Sequence, residues 1–152
     1  MKRQLTNYNA YNYRNNYGTQ SKESIIENLQ KRFDNIEIDD YANENTSNLS
    51  VPIIESYSFT DDKHIEVIGD KIYFSPLLFF SLDSNPFKKE VRSYPIEFPF
   101  PYSDKYAIKI NIPEGYSVES LPQNESLVFN EKELTHKYIL SQDETTLTLA
   151  LH

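Results

Sequence analysis

Beyond Asn35 the apolar residues of this 152-residue chain fall at every second position, in short runs set apart by turn-forming residues. A period of two puts alternate side chains on opposite faces, so these runs are half-buried strands rather than helices. The cleanest is Tyr106, Ile108, Ile110 and Ile112, alternating with Lys105, Ala107, Lys109 and Asn111. Ile36 and Ile38 alternate with acids, Ile53 and Ile54 lead into Tyr57 and Phe59 on a shared face, and Ile65, Val67, Ile72 and Phe74 flank Gly69-Asp70. That dipeptide suits a two-residue hairpin turn. Pro113-Glu114-Gly115 reads as a second turn, with Pro presetting φ and Gly supplying a positive one. Val118, Leu127 to Phe129, Leu134 to Leu140, and Leu147, Leu149 and Leu151 complete the strand series.

Before residue 35 the spacing is helical. Ser21 can cap a helix in which Ile25, Ile26, Leu29 and Phe33 form one stripe while Glu27, Gln30 and Lys31 face out. The first twenty residues interleave Asn with Tyr8, Tyr11, Tyr13 and Tyr17. Spacings of three and four allow a weak helix there, and a disordered Asn-rich tail is the alternative. The expected fold class is mainly β (α+β): an N-terminal helical segment followed by an antiparallel β-sandwich-like domain. Residues 1–20 are expected to be a helical arm or linker, and residues 21–152 a helix plus β domain with Ile108, Ile110, Ile112, Leu147 and Leu149 in its core. The run from Thr146 to Leu151 stops without a turn or polar tail, so either the chain pairs its ends internally or it is a fragment of a longer protein, in which case an open strand edge is expected there.

Composition narrows the function. Hydrophobic residues are 38% of the chain, but 12 Tyr and 9 Phe bury enough area each to fill a core. Asp and Glu number 23 against 15 Lys and Arg, a formal charge of −8 without a basic stripe, which argues against a nucleic-acid partner. With no Cys there is no disulfide, thiolate nucleophile or Cys-ligated metal. No apolar stretch follows Met1-Lys2-Arg3, and the run Ile72 to Leu82 is broken by Ser75 and Pro76 and too short to span a bilayer.

Few residues invite chemistry. His64 follows Asp61 and Asp62, with Ser58 and Thr60 nearby, but a triad is a geometry and there is no nucleophile elbow, so the segment reads as a turn into the hairpin. His64 and His136 lack the close spacing of metal ligands, and His152 is expected to be mobile. Asp34, Glu37, Asp39, Asp40 and Glu44 lack a calcium-loop pattern and read as a solvated sheet edge. No catalytic residue, metal or cofactor is expected. The candidate binding surface is Tyr94 to Tyr102, where Tyr94, Phe98, Phe100 and Tyr102 alternate with three prolines in nine residues. Rings on such a stiff edge stack on sugar or receive a peptide if exposed, and fill a core if buried. Leu77 to Phe80 poses the same choice between core and patch.

Three strings carry a resemblance: Ile72 to Leu77, Arg92 to Tyr106, and Ile112 to Pro122. They resemble the C-terminal β domain that follows the transglutaminase-like core in Bacteroidetes-type proteins, with similarity running from about Ser21 to Leu121. The resemblance implies a non-catalytic accessory domain in an exported or envelope-associated protein, periplasmic or at the cell envelope. The family's catalytic residues lie in the core, so none carries over. The implied partners are the neighbouring domain or another protein, and dimerisation through a strand edge or aromatic patch is also expected.

Overall fold

The computed structural model describes residues 1–33, 36–81, 84–85, 88, 91, 93–94, 97, 100–130 and 134–152. The architecture is mainly β, with N-terminal helices followed by antiparallel strands. The chain divides into two units, Met1–Ser84 and Asn85–His152.

The first unit opens with strand β1 (Lys2–Leu5), then helices α1 (Asn7–Tyr17) and α2 (Lys22–Arg32), then strands β2 (Glu37–Glu44) and β3 (Ile53–Thr60). The three strands form an antiparallel sheet with β3 in the middle. Residues 1–20, expected as a helical arm or linker, supply the edge strand β1 and the helix α1, and the Tyr57 N–H also donates to the Met1 carbonyl at 2.9 Å. Ser21 caps α2 as expected, its hydroxyl accepting from the Ser24 N–H at 3.2 Å. Ile25, Leu29 and Phe33 pack with Ile36, Tyr41 and Tyr57, so helix lies on sheet in this core. On α1 the buried face is Ala10 and Tyr13, with Tyr17 partly covered, whereas Tyr8 and Tyr11 are exposed. Ile53 packs beneath Ala10 and Tyr13. Of the acidic segment, Glu37, Asp39, Asp40 and Glu44 are exposed in β2, an edge strand with a register shift between Ile38 and Asp40, while Asp34 lies outside the described residues.

Strands β4 (Ile65–Ile68) and β5 (Lys71–Phe74) form a separate hairpin, closed by Gly69 at φ 64°. Only glycine enters that region without a Cβ penalty. A 3₁₀ turn at Leu78–Phe80 follows. Its Phe79 stacks on Phe33 at 4.3 Å between centroids, so this aromatic run helps to close the first core.

The second unit holds β6 (Tyr106–Asn111), β7 (Glu125–Phe129), β8 (Leu134–Gln142) and β9 (Thr146–Leu151), in the order β6-β9-β8-β7. Its core is Leu140, Leu147 and Leu149, with Ile108, Ile110 and Tyr138 packed against them. Lys105, Lys109 and Asn111 are exposed, as the period of two requires, and Ile112 is half-buried just past β6. Val118 lies outside any strand. The expected open edge at Thr146 to Leu151 is not one: β9 pairs with β6 on one side and β8 on the other. His152 is likewise tied down, its backbone exchanging hydrogen bonds with Lys137 at 2.7 and 3.0 Å.

Candidate functional site

Three places combine chemistry with position. The first is polar and buried. Along β3, Ile53, Glu55, Tyr57 and Phe59 share the parity that faces the helices, which puts a carboxylate at 0% exposure in the layer. Register supplies its partners, since Glu55 lies opposite Arg3 of β1 and Asn43 of β2. Arg3 Nε pairs with Glu55 Oε2, and the Tyr41 hydroxyl donates to Glu55 Oε1 at 2.9 Å. With Tyr41 donating to the acid, the Tyr13 hydroxyl 2.6 Å away donates to Tyr41, and Asn43 donates to Tyr13 at 3.0 Å. A directed relay of donors thus ends on one acid. Burial, then the Tyr13 hydrogen bond, then the Glu55 charge push the Tyr41 hydroxyl well above the ordinary tyrosine pKa. Tyr13, Tyr41 and Glu55 are buried, and the carboxylate is paired with Arg3. That suits holding β1, β2 and α1 together better than meeting a substrate. No motif singles out Glu55, although its place in the alternation with Ile53 and Tyr57 marks it as inward-facing.

The second place is the turn before the hairpin. His64 Nδ1 lies 2.6 Å from Asp61 Oδ2, and Asp61 Oδ1 accepts from the Lys63 N–H at 3.0 Å. Burial works to raise the Asp61 pKa, but the Lys63 N–H and His64 together hold it below the usual carboxylate value. A shallow, open depression of about 210 Å³ lies beside it, lined by Ile36, Glu37, Thr60, Asp61, Asp62 and Lys63. The His64 ring sits edge-on to Phe79 at 5.9 Å. Asp61 ties down the turn that enters the hairpin, as read from the sequence. His136 is a half-buried residue of β8, opposite Leu127. Among the described residues no group of three or more His, Cys, Asp or Glu side chains could hold a metal ion.

The third place is apolar and open. In the hairpin, Ile65 lies opposite Phe74 and Val67 opposite Ile72, so these four side chains share one face. Their exposures run from 37% to 64%. In the aromatic segment Tyr94 is 84% and Tyr102 67% exposed, and Phe100 is half-buried. Phe98, the fourth ring of the candidate surface, lies outside the described residues. Among the described residues no helix is long and apolar enough to cross a membrane.

The family comparison matches residues 70–152, more than half of the chain, to a family described as "Domain of Unknown Function with solved-structure structure" (DUF3858). The chain belongs to the DUF3858 family. The DUF3858 match takes in β5, the Tyr94–Tyr102 segment and the whole four-stranded sheet, and leaves out β1 to β4 and both helices. Neither the curated proteins nor the solved structures gave a match.

Proposed function

We propose that the chain is a non-catalytic accessory module of a transglutaminase-like protein of Bacteroidetes type, exported or envelope-associated, and that it works by binding the neighbouring transglutaminase-like core. The observation that carries this reading is the hairpin face of Ile65, Val67, Ile72 and Phe74, four apolar side chains left in water on one flat surface. Clustered exposed apolar residues mark interaction sites far more often than scattered ones do. The location and the core as partner rest on the resemblance of Ile72 to Leu77, Arg92 to Tyr106 and Ile112 to Pro122, all within the family match. Mixing the purified chain with the core domain should give a stable complex, and the chain alone should neither hydrolyse peptides nor join amines to a glutamine peptide. Activity of the chain alone, abolished by His64→Ala or His136→Ala, would overturn the reading.

A second reading is favoured by one observation, the exposure of Tyr94 and Tyr102. Rings exposed to this degree can stack on a sugar, which would make the chain a glycan-binding module. Saturable binding to an envelope polysaccharide that is lost on Tyr102→Ala supports it, and binding unchanged by that substitution removes it.

A further inference from the structure

Strand β7 ends the four-stranded sheet and, among the described residues, pairs with β8 alone, which leaves one edge of its backbone N–H and C=O groups without a described strand. Other outer strands of this molecule are guarded. β1 carries Lys2 and Arg3, β2 carries four exposed acids and a bulge, and β6 carries Lys109. Such charges and bulges keep strand edges from pairing with other chains. β7 reads Glu-Ser-Leu-Val-Phe, with one charge at its first residue, no proline and an unbroken register against β8. All five residues are exposed, Leu127, Val128 and Phe129 at 52%, 59% and 64%. Leu127 and Phe129 lie opposite His136 and Leu134. They therefore share the sheet face that buries Leu140 and Leu149, and they extend that apolar face to the open edge.

We propose that β7 is a homodimerisation edge, pairing antiparallel with β7 of a second copy of this chain about a two-fold axis at Leu127. This register pairs all five residues of both strands. Leu127 meets Leu127, Ser126 meets Val128, and Glu125 meets Phe129, so the two acids sit at opposite ends and no like charges face each other. The apolar faces of the two sheets then join into one surface, and the symmetry closes the assembly at two copies. Each copy carries a formal charge of −8, so association tightens as salt rises.

Light scattering on the full chain over a concentration series tests this. The expected result is a shift from the monomer mass to twice that mass, at lower concentration in high salt. Substituting both Ser126→Lys and Val128→Lys places lysine opposite lysine and weakens the dimer by about tenfold, as does the matching pair Ser126→Glu and Val128→Glu. Both positions are exposed and on the face away from the core, so each variant keeps the circular dichroism of the parent. An equimolar mixture of the two variants restores a dimer containing one copy of each. A parent that stays monomeric at every concentration overturns the proposal. So does a dimer indifferent to these charges, or a mixture that fails to form the mixed pair.

Discussion

Tyr41 and Tyr57 are neighbours across two strands, both buried, and their hydroxyls have opposite fates. The Tyr41 hydroxyl donates a hydrogen bond to Glu55 and accepts one from Tyr13, whereas among the described residues the Tyr57 hydroxyl is the buried side-chain polar atom with no hydrogen-bond partner. Removing a paired hydroxyl strands its partners, and removing an unpaired one relieves a desolvation cost. In denaturant melts Tyr41→Phe should lose about 1–3 kcal/mol, while Tyr57→Phe should be neutral or gain up to about 1 kcal/mol. Equal losses would mean that the relay holds nothing. The two rings also predict a response to alkali. Burial pushes the Tyr57 hydroxyl up to about 12 and raises that of Tyr41 further above the ordinary value of 10. The folded chain therefore keeps protons that the unfolded chain loses above pH about 10, and this share of stability, full below that pH, declines as pH rises towards 12. Melts at stepped pH should show that loss, and Tyr41→Phe should blunt it.

Strands and helices with a strong pattern were readable from the residues alone. The α2 stripe, the Gly69 turn and the alternation of β6 each express one local rule, and each is found where it was read. β1 was not readable, because Lys-Arg-Gln-Leu has no β-branched or aromatic residue and becomes a strand only when β3 is there to pair with it. Tyrosine spacing allows the α1 helix but does not choose among Tyr8, Tyr11, Tyr13 and Tyr17; the choice of Tyr13 follows from Ile53, which receives Ala10 and Tyr13, and from Arg14, which reaches the carbonyls of Thr46, Asn48 and Val51 at 2.9, 2.7 and 3.2 Å. The aromatic segment was noticed by composition, yet no pattern could say whether its rings were open, since proline suppresses alternation. β1 should also be anchored chiefly by charge. Arg3→Met leaves the Glu55 carboxylate buried without its cation, a loss of about 3 kcal/mol or more, and adding Glu55→Leu should recover most of it. Full stability in the single variant would show that backbone pairing with β3 suffices.

Apolar side chains fill the cores of the chain, yet the hairpin face, the Tyr94 and Tyr102 rings and the β7 edge also meet water. Apolar surface left open in such patches is what a module covered by partners would display. On the proposed reading the hairpin face receives the neighbouring core domain, and amide hydrogen exchange of the chain, with and without that domain in excess, reads this out. Exchange should slow over β4 and β5, with β2 and β6 unchanged, and the slowing should vanish when Val67→Asp and Ile72→Asp place charge on the face. Exchange at the hairpin that stays the same when the core binds, or protection that falls instead on Phe100 and Tyr102, would contradict it.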